Sequence, residues 1–91
     1  MEKKTYLGRK VINQIEFNKP GIFQSYYRAS EYIHENGYSL GSMDGDNPIA
    51  IWKGKCSISK WHNLSKEEKG SCDGVIVGDM REGPVSVYLF V

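Results

Sequence analysis

The sequence predicts a single α+β domain over residues 1–91, a mainly antiparallel sheet with one long and one short helix in the order β-α-β-β-α-β-β. Three observations lead there. Residues 74–91 write out a β-hairpin, residues 22–35 repeat apolar side chains at helical spacing, and Asp44-Gly45-Asp46-Asn47 separates two β-rich segments. No regular βαβ repeat occurs, so the helices are expected to lie together on one face of the sheet.

Residues 10–17 are rich in β-branched and apolar side chains, and strict alternation places Val11, Ile15 and Phe17 on one face with Asn13 interrupting it. Asn18-Lys19-Pro20-Gly21 breaks this strand, and Pro20 is preorganised for the first turn of a helix. Ile22, Tyr26, Ala29 and Ile33 then recur at the helical period, while Arg28, Glu31 and Glu35 occupy other faces. Asn36-Gly37 ends the helix, because glycine adopts the left-handed C-terminal cap without steric cost.

Residues 38–43 and 48–53 flank the Asp44-Gly45-Asp46-Asn47 turn, and Pro48, without an N–H, fits only at a strand start or an edge. An irregular stretch over 54–59 leads into one helical turn over 59–62. Ser65-Lys66-Glu67-Glu68 has capping-box spacing, which predicts a second, short helix ending near Lys69-Gly70. In the last strand Val85, Val87, Leu89 and Val91 face one way and Ser86, Tyr88 and Phe90 the other. A strand with two such faces belongs inside a sheet.

Hydrophobic residues make up 40% and charged residues 25% of the 91, too apolar for a disordered chain. No segment approaches the ~18 consecutive apolar residues of a membrane span, and the N-terminal lysines precede no apolar signal-like run. The expected compartment is the cytoplasm, and Cys56 and Cys72 are expected as reduced thiols. The net charge of +1 conceals alternating sectors: residues 1–20 and 49–72 each carry +3, residues 21–48 carry −3 and residues 73–91 carry −2. A duplex-DNA binder normally has a stronger basic excess, because neutralised phosphates supply most of its non-specific affinity.

Motifs for chemistry are sparse. Cys56, His62 and Cys72 are spaced C-x5-H-x9-C, without the close pairs that preorganise tetrahedral zinc, so no metal is expected. The acidic turn at 44–47 lacks the distal glutamate of a calcium loop. A Cys/His/Asp triad from Cys56 or Cys72 with His62 and Asp73 has no local signature. The scattered glycines form no phosphate cradle. The sequence therefore predicts a protein without enzymatic activity and without a cofactor.

Two binding surfaces are legible. Trp52, Lys53, Lys55, Lys60 and Trp61 interleave aromatic and basic side chains, the composition of a single-stranded nucleic-acid site. The hairpin tip over residues 78–83 offers Met80, Arg81 and Glu82, and methionine and arginine are enriched at protein interfaces. The stretch Lys60-Trp61-His62-Asn63-Leu64-Ser65, with Asp73-Gly74 and the run from Gly78-Asp79-Met80-Arg81-Glu82-Gly83 to Val87, resembles a pattern in small uncharacterised bacteriophage proteins. That resemblance implies action by binding and altering a host protein, in the host cytoplasm. Stoichiometric binding to a bacterial or host protein is the first expectation, and single-stranded nucleic acid the alternative.

Overall fold

The computed structural model describes residues 5–54 and 59–90. Lys55, Cys56 and Val91, singled out above, lie outside them. Among the described residues six strands, β1 (Thr5–Tyr6), β2 (Arg9–Phe17), β3 (Tyr38–Leu40), β4 (Ile49–Lys53), β5 (Gly74–Gly78) and β6 (Val85–Phe90), form one sheet in the order β1-β2-β6-β5-β4-β3. Every neighbouring pair is antiparallel. Two helices, α1 (Gln24–Glu35) and α2 (Lys66–Ser71), and a 3-10 turn at Trp61–Asn63 complete the α+β architecture. Among the described residues no helix is long and apolar enough to cross a membrane.

The two-faced strand is interior, as its alternation requires: β6 is paired on one side with β2 and on the other with β5. Val85, Val87 and Leu89 join Ile49, Ile51 and Ile76 in an aliphatic cluster beneath α1. Tyr88 and Phe90 point the opposite way and join Ala50, Trp52, Leu64, Cys72 and Val75. Ile33, Ile49, Ile51, Ile76 and Val87 are fully buried, and each such side chain contributes about 1.5–3 kcal/mol through removal from water.

Helix α1 buries Ser25, Ala29 and Ile33, a stripe at i, i+4 and i+8. It begins later than Pro20 suggests. Gly21 and Phe23 have positive φ, the helix starts at Gln24, and Ile22 is left outside it and 55% exposed. The C-terminus matches expectation, with Gly37 left-handed at φ 82° and its N–H donating to the His34 carbonyl.

The helices do not share a face. The segment containing α2 packs through its flanks, Leu64 and Cys72, onto the aromatic cluster opposite α1. Helix α2 itself buries no side chain, so a six-residue piece without an apolar stripe is held by its ends. The capping box forms as predicted: the Glu68 N–H donates to Ser65 Oγ at 3.1 Å, and the Ser65 N–H to Glu68 Oε1 at 2.9 Å.

Strand β3 is shorter than expected. It ends at Leu40, and the next residues turn away so that the Ser42 N–H donates to the Ser59 carbonyl. A Cβ on Gly41 would stand 2.8 Å from that same carbonyl oxygen, so only glycine fits the departure. The Asp44–Asn47 turn does form, closed by the Asn47 N–H on the Asp44 carbonyl at 2.9 Å.

Strand β2 corrects a further expectation. Val11 lies opposite Phe90 and Asn13 opposite Leu89, so Ile12 is an extra residue in a β-bulge. The bulge reverses the alternation. Val11 packs on the aromatic side while Phe17 packs beneath α1, and Asn13, on the α1 side, donates to the Tyr32 hydroxyl at 3.4 Å. The sequence reading also missed β1, which Leu7 and Gly8 connect to β2 with both residues at positive φ.

Candidate protein-binding surface

The tip between β5 and β6 is ordered by its own first side chain. Asp79 Oδ1 accepts from the backbone N–H groups of Arg81 (3.1 Å) and Glu82 (3.0 Å), and the Gly83 N–H donates to the Asp79 carbonyl at 2.6 Å. An aspartate gathering the following N–H groups is common turn chemistry. The tip does not project. It lies against the start of α1, where the Phe23 N–H donates to the Arg81 carbonyl at 2.6 Å. A Cβ on Gly83 would come within 2.4 Å of Ser25 Oγ, so glycine is what permits this approach.

Docking of the tip moves Met80 from the surface to the core. Its side chain is 4% exposed and belongs to the cluster of Ala29, Ile33 and Val85. Met80 therefore cannot be the exposed anchor that the sequence suggests; it holds the tip down. Arg81 and Glu82 remain exposed.

Beside these two residues lies exposed apolar surface, including Ile22, which its spacing in the sequence places on the helical stripe. Ile22 and Tyr27 are each 55% exposed, and the Tyr27 ring lies 6.1 Å from Phe23 and 5.9 Å from Tyr26, centroid to centroid. Phe23 adopts φ 63°, ψ 6°, a left-handed conformation costing a residue with a Cβ about 1–2 kcal/mol. The Arg81 carbonyl holds it there. The usable signal was Gly21 after Pro20: a second break delays the helix and strands Ile22 outside its buried stripe.

The aromatic and basic segment is divided. Trp52 on β4 is 5% exposed within the aromatic cluster and offers no face for stacking. Lys53 is exposed, and its N–H donates to Asp73 Oδ2 at 2.6 Å. Lys60 is also exposed, and Trp61 is half-buried with Lys69 Nζ 5.5 Å from its ring centroid. The two tryptophans thus have different roles, which ends the expectation of a paired platform.

The residues considered for catalysis are engaged separately. His62 donates its backbone N–H to Asp44 Oδ2 at 3.0 Å, and its Nδ1 lies 2.8 Å from the same oxygen. Those contacts, the backbone one foremost, hold the Asp44 carboxyl below the usual carboxylate range. Burial pushes the Cys72 thiol up, against the pull of Arg9, away from the thiolate a nucleophile needs. Among the described residues no three His, Cys, Asp or Glu side chains gather as metal ligands. No family model, curated protein or solved structure matches this chain.

Proposed function

We propose that this protein is a non-enzymatic binding module that engages a bacterial or host protein stoichiometrically, as a modulator or inhibitor, through Ile22, Phe23, Tyr27, Arg81 and Glu82. What supports the reading is the conformation of Phe23. A large residue is kept left-handed by the hairpin tip, and backbone strain of this kind tends to occur where side chains are positioned for use. The arrangement sets exposed aromatic and aliphatic surface beside an arginine, a composition that favours protein interfaces.

The nucleic-acid alternative is weakened by the burial of Trp52, which leaves Trp61 with Lys53 and Lys60. Capture from nuclease-treated bacterial lysate, followed by titration of the recovered partner, separates the readings. The Tyr27→Ala/Arg81→Ala variant should keep the parental melting temperature and lose on the order of 1–4 kcal/mol of affinity. Unchanged affinity, or capture that depends on intact nucleic acid, would overturn the proposal.

A further inference from the structure

The other side of the sheet carries a separate candidate. Leu7, in the β1–β2 turn, and Trp61, Lys66, Lys69 and Gly70, around α2, line an open cleft of about 210 Å³. Both turn residues are left-handed, Leu7 at φ 53° and Gly8 at φ 74°. This is a position that asparagine, aspartate or glycine fills without strain. Leucine is costly there, and its side chain is 56% exposed, so the core does not repay the choice.

The electrostatics of the cleft are one-sided. Among the described residues the charged side chains that line it are two lysines, Lys66 and Lys69. Helical spacing puts Lys66, Lys69 and Gly70 on the side of α2 that lines it. Of the acids on and beside α2, Glu68 is engaged in the helix cap and Asp44 with His62, while Glu67, exposed on the same helix, is not among the residues that line the cleft. Glu31 and Glu35 ride on α1, across the sheet.

We propose that this cleft is a second docking site whose occupant is an acidic protein segment, inserting one apolar side chain between Leu7 and Trp61 while its carboxylates meet Lys66 and Lys69. Leu7 and the Trp61 ring give the cleft apolar walls, which suit an inserted side chain better than a flat base. A single tryptophan is a poor stacking platform once Trp52 is buried. Lys69, now over the Trp61 ring, is positioned to exchange that contact for a carboxylate.

The test uses a short synthetic peptide of glutamates around a central leucine-phenylalanine pair, with a lysine-substituted version, oligothymidylate and phosphatidylserine vesicles as competing probes. Trp61 emission in a Trp52→Phe background reports occupancy, and the Gly8 and Gly70 amide resonances of the unaltered protein report it independently. The expected result is a saturable response to the glutamate peptide, weakened at least about tenfold by Lys66→Glu with Lys69→Glu. Leu7→Asn should weaken it similarly while raising the melting temperature, a pairing that a purely structural Leu7 would not produce. No saturable response, an equal response to the lysine peptide, or a response confined to oligothymidylate or vesicles would overturn the proposal.

Discussion

The two faces of the sheet are closed by different means. Beneath α1 the core is mainly aliphatic, and the helix approaches closely because Ser25 and Ala29 are small. On the other face large rings do the covering. Tyr6 stacks on Tyr88 at 5.2 Å, Arg9 lies 4.5 Å over the Phe90 ring, and its guanidinium also donates to the Cys72 carbonyl. A face of small and branched side chains needs a continuous helix as a lid. Broad aromatic side chains can be covered by short irregular pieces and the stems of long polar residues.

This contrast sets an order of expected effects. Ile33→Ala, which hollows the helix-covered side, should cost about 2–5 kcal/mol in chemical denaturation. Arg9→Ala removes a charged donor and the cover over Phe90. A loss of about 1.5–3 kcal/mol is expected, and a loss below that range would mean that the aromatic face closes without its polar cover. Ser65→Ala, removing the cap from the helix that buries nothing, should cost about 0.5–2 kcal/mol and be readable as a lower melting temperature.

The smallest effect is one that acid removes. Asp44 has its carboxyl pKa depressed by His62 in the folded protein. Its contribution is therefore present above the unfolded carboxylate value of about 3.9 and disappears as pH falls through the lower folded value. Thermal melts should show Asp44→Asn closest to the parent at the acid end of the series and least like it near neutrality.

The same contrast explains what could be read from the sequence. Regular closure leaves a periodic trace: Ala29 and Ile33 on α1 and the alternation of β6 are legible in the sequence, whereas on the irregular face the Ser65 and Glu68 cap is legible as a local motif. Irregular closure leaves little. Leu7 is not a recognised turn former, so β1 escaped notice, and an inserted Ile12 makes Val11 look as if it shares a face with Phe17. The burial of Met80 depends on the tip meeting α1, a contact between residues distant in the chain, and no local pattern encodes it. The interface candidates were thus half legible, Arg81 and Glu82 from composition, Ile22 and Tyr27 only from the fold.

Ile12 also makes β2 unusually tolerant of a change in length. Its bulge leaves β2 one residue longer than its ladder with β6 requires, and the side chain is 59% exposed. Deleting Ile12 would leave Val11 opposite Phe90 and Asn13 opposite Leu89, with every inward side chain on its present face. A deletion in the middle of a strand ordinarily inverts everything on one side of it. In this chain the loss of that residue converts an irregular ladder into a regular one, so deletion of Ile12 is expected to leave the fold intact, a step open to evolution or to design.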